Sequence, residues 1–270
     1  MNWSDDYDLP EPEEVRIDPV EEQAKAKLRE FFNANPERVF FSRQLEVQFE
    51  GEFFHWVTNR ALRHLIEEAF LAHEFEKLKF GGSIKLIWKR TFRYHRRAGA
   101  EIVKLVSEYS LPPISEALGN QGETMVLSGL AVNGFSIVGR HACSYREKVW
   151  TETEHNLDMV VERDGIGYGV EVKNTLPYID QEDYKAKKAL CEHLGLRPLF
   201  AVRMMPKTWI NETQGMGGYC LIMKWQLYPW GHKELARRVE VELGLPVRCV
   251  SEVEQGLMER LLTWHKKHVK

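Results

Sequence analysis

Asp164-Gly165 stands between two strand-like runs, Leu157–Glu162 and Tyr168–Lys173, and this pattern constrains the chain more than any other. An Asp-Gly pair so flanked is the strongest short-range signal for a two-residue type I′ hairpin, whose central residues both need positive φ. A two-residue loop fixes the register: Arg163 pairs with Ile166, and counting outward brings Asp158 opposite Glu171. Residues that face each other across an antiparallel pair project from one face, with Cβ atoms about 4.5–5.5 Å apart. Period two puts Lys173 on the face of Glu171 and sends Val170 and Val172 into the core. Two carboxylates placed this way repel unless a cation sits between them. A bulge at Gly167 would shift the pairing, so this register is an expectation. Gly165, Gly167 and Gly169 form a Gly-x-Gly-x-Gly run, but no helix follows, so it reads as hairpin and not as a dinucleotide loop.

Around the hairpin the periodicities predict a helix over 120–133, strands over 135–142, 157–162 and 168–173, and a helix over 180–194. Strands over 198–203 and 219–227 and helices over 232–243 and 251–268 complete an α/β unit with a mixed sheet. Asp180 reads as the N-cap of the 180–194 helix. Glu123 has two readings. In Asn120-Gln121-Gly122-Glu123 it closes a capping box. On the stripe of Leu127 and Leu130 it faces inward as a third carboxylate.

Upstream, Ala24, Leu28, Phe31 and Phe32 mark a helix from Val20 that stops near Asn35-Pro36, and Ser42 can cap a short helix over 43–49. A third helix over 53–70 places Phe54, Val57, Ala61, Leu65 and Ala69 on one face and Trp56, Asn59, Arg60 and Arg63 on the other. A hairpin follows over 71–88, turning at Gly81-Gly82-Ser83. A helix over 93–109 bridges to the second unit, with Leu111-Pro112-Pro113 as its stop. The expected organisation is an acidic arm (1–19), an N-terminal domain (20–92), a linker helix (93–111) and an α/β domain (112–270).

By element order alone, residues 20–92 resemble a winged helix-turn-helix domain. That resemblance implies DNA binding, with Trp56, Asn59, Arg60 and Arg63 on the helix that enters a groove. Lys77, Lys79, Lys85, Lys89 and Arg90 lie in a run, Glu76 to Lys104, with nine Lys/Arg against two acids; Phe80, Trp88, Phe92 and Tyr94 are interleaved. Such a surface can neutralise phosphates. The net charge of −3 hides it, because residues 1–22 carry −8 and residues 23–270 carry +5. An arm of that charge could fold back and compete with DNA.

Glu123, Asp158 and Glu171-x-Lys173, set on helix, strand, strand, resemble the PD-(D/E)xK phosphodiesterase superfamily, which holds type II restriction endonucleases, archaeal-type Holliday-junction resolvases and many repair nucleases. The resemblance covers roughly residues 112–228 and includes an α-β-β-β-α-β order. It implies a restriction-endonuclease-like fold and an endodeoxyribonuclease that uses Mg²⁺, with Mn²⁺ as substitute. Asp158, Glu171 and the Val172 carbonyl would hold the metal, Lys173 with a lowered pKa would orient or deprotonate water, and Glu123 would hold water or a second metal. Gln181 and Lys185, on the helix bordering the site, would touch the substrate. Two departures stand out: Leu157 replaces the name-giving proline, and Gln181 and Tyr184 are one residue too close for the Gln-x-x-x-Tyr motif of one branch. The alternatives are a non-catalytic DNA-binding or assembly protein on the same fold, or an RNA nuclease. Double-strand cutting by one site per chain would need a homodimer.

No apolar run follows a basic start, and the longest uncharged stretch, Thr124–Gly139, is too short to span a bilayer, so a cytoplasmic protein with no membrane partner is expected. Cys143, Cys191, Cys220 and Cys249 are scattered and read as buried, reduced thiols. His265 and His268 read as favouring the dipole of the last helix.

Overall fold

A computed structural model describes residues 18–268. Residues 1–17, nearly all of the expected acidic arm, lie outside the described residues, and Pro19 already opens the first helix. The chain divides into two compact units, one of residues up to Glu76 with Ile84–Ala100, the other of Lys77–Ser83 with Glu101 onward.

The first unit runs α1 (Pro19–Ala34), β1 (Val39–Phe41), α2 (Ser42–Phe49), α3 (His55–Glu67), β2 (Leu71–Lys77) and β3 (Ser83–Lys89). Asp18 caps α1 by accepting from Val20 N at 3.0 Å, and Glu21 and Glu22 in the first turn suit the helix dipole. The helical stripe Ala24, Leu28, Phe32 is buried against Val57, Ala61 and Leu65 of α3. The three strands order β1-β3-β2, with Phe40 opposite Ile87. The helices differ slightly from expectation. Phe41, not Ser42, is the N-cap of α2, and its N–H is met by the Gln44 side chain at 3.3 Å. Phe54 caps α3, and Ala69, at φ +58°, lies beyond its end. Trp88 leaves the expected surface set: it is buried and stacks on His95 at 4.3 Å between ring centres.

α4 (His95–Tyr109) crosses the boundary into the second unit. That unit continues with α5 (Pro112–Val132), β4 (Ser136–Ala142), the short pair β5 (Ser144–Tyr145) and β6 (Lys148–Val149), then β7 (Leu157–Arg163) and β8 (Ile166–Lys173). It closes with α6 (Gln181–Leu194), β9 (Arg197–Val202), α7 (Lys207–Gly215), β10 (Tyr219–Ile222), β11 (Gln226–Leu227), α8 (Lys233–Leu243), β12 (Val247–Arg248) and α9 (Gln255–His268). The main sheet orders β10-β9-β8-β7-β4; β4, β7 and β8 form an antiparallel meander, and β9 and β10 join parallel to β8. The fold is thus mixed α/β. Met125, Val126 and Leu130 of α5 and Leu257, Met258 and Leu261 of α9 bury one face with Val161, Val170 and Leu199. α6 and α7 cover the other through Leu190, Cys191, Tyr184 and Trp209, against Leu157, Val160, Phe200 and Val202.

The hairpin has the expected register, from Arg163 opposite Ile166 to Met159 opposite Val170, with no bulge at Gly167. Asp164 and Gly165 both have positive φ, +50° and +76°, as a type I′ turn requires. Gly169 is fixed by packing: a Cβ there would lie 2.6 Å from Cys191 Sγ, so glycine lets α6 settle on the sheet.

Several expectations are corrected. α4 stops at Tyr109, ahead of Leu111-Pro112-Pro113 as expected, but the next helix begins there and not at Asn120. Pro112 and Pro113 open α5, because proline at the first helical positions lacks only an N–H that has no helical partner anyway. Asn120 is therefore mid-helix, and the capping-box reading of Glu123 falls. The strand expected over 219–227 stops at Ile222; Gln226 and Leu227 instead pair with Val247 and Arg248 in a separate two-stranded ladder. The α7 helix was not foreseen. Cys143 is exposed and Cys249 half-buried, although all four thiols are free.

His265 is not a surface partner of a helix dipole but is fully buried. Its Nε2 lies 2.9 Å from Asp164 Oδ2 and its Nδ1 2.8 Å from the Tyr168 hydroxyl. A carboxylate can only accept, so Nε2 carries the proton and, in the neutral ring, Nδ1 accepts from Tyr168. The bond from His265 holds the Asp164 carboxyl below its ordinary range. Its stabilising share is therefore in place above the usual aspartate pKa and is lost as pH falls through the lowered value. His265→Ala leaves a void and removes one partner of the buried Tyr168 hydroxyl, and the expected cost is about 2–4 kcal/mol in urea denaturation.

Candidate active site

The β7–β8 pairing builds the site. The ladder ends at Met159 and Val170, and one step further Asp158 and Glu171 come together. There a side chain takes over from the backbone, as Val172 N donates to Asp158 Oδ2 at 2.7 Å. Val170 and Val172 are buried in the sheet core, so alternation turns Glu171 and Lys173 toward α6.

Glu171 is 2% exposed, which is tolerable for a carboxylate only when it is paired. Lys173 Nζ lies 2.9 Å from its Oε1, and Lys187 Nζ lies 2.6 Å from its Oε2. Lys187 thus serves as the partner of Oε2 as Lys173 does of Oε1. Lys187 also donates to the Asn156 carbonyl, just before β7. Lys173 is shared with Asp183 at 2.7 Å. Burial pushes the Glu171 carboxyl above its ordinary pKa, and the neighbouring Asp158 charge adds to the rise. Asp158 is raised for the same first reason, opposed by the Val172 N–H and Lys187, with Glu123 adding to the rise. For Lys173, burial works to lower the pKa, but Glu171 and Asp183 outweigh it and hold the ammonium above its ordinary value. The expected lowering is thus reversed in the protein's own field: Lys173 is flanked by two carboxylates, and the sequence had suggested only one.

Glu123 reaches the strand ends from α5, which packs on the face opposite α6. Its Oε2 accepts from Arg140 of β4 at 3.3 Å, and its charge is felt at Asp158. Among the described residues no three His, Cys, Asp or Glu side chains converge as a metal cage. The donor set still suits a hard cation: two neighbouring carboxylates, Asp158 and Glu171. Mg²⁺ keeps several waters and needs only one or two protein carboxylates.

The other expected contacts divide. Gln181 and Lys185 are exposed on α6, while it is Lys187, two residues on, that reaches Glu171. A signal for it existed: Lys187 lies on the apolar stripe of Tyr184, Cys191 and Leu194, where a lysine needs a buried partner. On α3, Trp56, Asn59 and Arg63 are exposed. Asn59 is tied to Glu46 at 2.6 Å. Arg60 lies over the Trp56 ring at 4.4 Å and is ion-paired with Asp18 and Glu21 at 2.7 and 2.8 Å. Lys77, Lys79 and Arg90 are exposed; Lys85 and Lys89 are half-buried, and Lys89 donates to Asn33 at 2.7 Å.

No protein family, curated protein or solved structure matches this chain. Among the described residues no helix is long and apolar enough to cross a membrane. The site's own geometry therefore carries the functional argument.

Proposed function

We propose that the chain is a divalent-metal-dependent DNA endonuclease, with Asp158, Glu171 and Lys173 at its centre. The observation that carries this reading is the hairpin register, which sets the half-buried Asp158 and the buried Glu171 one step beyond the end of a ladder, with a lysine beside Glu171. Like charges gathered out of water raise each other's pKa, an arrangement more often built for chemistry than for stability. The helix, the antiparallel meander, the crossover helix and the parallel strand follow the α-β-β-β-α-β order of PD-(D/E)xK nucleases.

Asp158, Glu171 and the Val172 carbonyl would hold Mg²⁺, which when bound would screen charge building on the scissile phosphate and acidify water. Lys173, kept protonated by Glu171 and Asp183, is a donor positioned to orient a water or a phosphate oxygen. Lys187 holds Glu171 from the far side and ties it to the strand entrance through Asn156. Glu123, restrained by Arg140, is available to orient water. The first unit would position DNA: helix, strand, helix, helix, strand, strand, with the last strand in the middle of the sheet, is the winged-helix order.

A scaffold role without catalysis is favoured by one observation, the two ammonium groups that already balance Glu171. Calorimetry with Mn²⁺ separates the readings. Wild type is expected to bind Mn²⁺ at one or two sites, and Asp158→Asn to weaken that binding at least about ten-fold. Equal Mn²⁺ binding by both proteins would count against a metal site here.

A further inference from the structure

Phe75 on β2 is 65% exposed, a large apolar ring left open to solvent. A single exposed apolar residue is ordinary, but Phe75 is not isolated. His73, two residues back on the same strand face, meets it edge-on with ring centres 5.8 Å apart. Lys85 Nζ of β3 lies 6.0 Å from the Phe75 ring centre. Burial lowers the Lys85 pKa, and the charge of Arg63 on α3 lowers it further, so both cations share one field. His73 is lowered as well, by burial and then by Lys85. Period two turns Glu74 and Glu76 to the opposite strand face. The result is two rings bordered by two cations, next to the exposed face of α3.

Intact duplex gives such a surface little to hold. Stacked bases present only their edges, which phenyl rings cannot read by hydrogen bonding. An unpaired base presents a π-face, and its phosphate satisfies a neighbouring Lys or Arg; aromatic platforms with basic borders hold single strands this way. We propose that Phe75, with His73 beneath and Lys85 and Arg63 at its border, stacks an unpaired base next to duplex, so that this unit selects forked or branched DNA. The inference rests on the reading that the first unit binds DNA, and it names the substrate class for that unit.

The test is fluorescence anisotropy in EDTA with the full chain, using blunt duplex, single strand and a fork of duplex with unpaired arms. A second set of forks carries 2-aminopurine at the first unpaired position. Wild type is expected to bind the fork roughly ten-fold more tightly than blunt duplex and to quench 2-aminopurine. Phe75→Ala should lose that preference and the quenching while keeping duplex affinity. Arg63→Ala should weaken all three substrates and reduce the salt dependence. Because Phe75 is exposed, an unchanged melting curve shows that the variant is folded. Equal wild-type affinity for fork and duplex, or an even loss across substrates in Phe75→Ala, overturns the stacking proposal and leaves DNA binding intact. Concentration-dependent self-association abolished by Phe75→Ala would assign the patch to a second copy and overturn it too. Failure to bind any DNA removes the underlying reading along with it.

Discussion

Glu171→Gln is expected to reduce Mg²⁺-dependent DNA cleavage by at least about 100-fold, since changes one shell further from a metal already cost 10–100-fold. The amide keeps the shape of the carboxylate but cannot supply its charge, so Lys173 and Lys187 remain beside a weaker acceptor. Lys173→Ala should bring a comparable loss by another route. It removes the donor held at 2.9 Å from Glu171 while leaving Glu171 its ion pair with Lys187. Single-turnover cleavage with saturating enzyme checks both variants, and urea denaturation verifies their folding. Activity within a few-fold of wild type in Glu171→Gln would remove Glu171 from the chemistry.

Asn174→Ala is expected to destabilise the second unit by about 3–5 kcal/mol. Asn174, the residue after Lys173, is 3% exposed and works as a hub. Its side-chain amide donates to the carbonyls of Leu118 and Leu227 at 2.8 and 2.7 Å, and its Oδ1 accepts from Leu227 N at 2.7 Å. Truncation takes the Asn174 partner from the buried carbonyl and N–H of Leu227, each costing about 1–3 kcal/mol if left unpaired, and removes the added bond to the Leu118 carbonyl. The same residue ties α5, which carries Glu123, to β11 and to the strand end that carries Lys173. Urea denaturation should show a lowered midpoint with an unchanged slope. A loss below about 1 kcal/mol would mean that water replaces these bonds.

The hairpin was legible because a two-residue Asp-Gly turn leaves one register, and that register decides which carboxylates meet. The α3 face was legible from helical period alone. Other features depend on distant parts of the chain. Leu111-Pro112-Pro113 marked the end of one helix correctly, but that the same prolines also begin the next was not legible, because it depends on residues beyond Pro113. Lys187 and Asp183 reach the site only because α6 packs on the β8 face, so the sequence pointed to Lys185 and misjudged the field around Lys173. His265 looked like part of a basic tail, and its partner Asp164 lies a hundred residues away in a turn. The two residues that bind Arg60, Asp18 and Glu21, close the acidic segment and meet the α3 face, whereas charge patterning had pointed that segment to the basic run over 76–104.

The most direct measurement is cleavage by the wild-type chain of plasmid, linear and forked DNA with Mg²⁺ or Mn²⁺, each against an EDTA control. The expected result is cleavage that requires the divalent ion and is abolished by Glu171→Gln under the same conditions. Absence of cutting on every DNA substrate with either metal, by a chain shown to bind that DNA, would contradict the nuclease account.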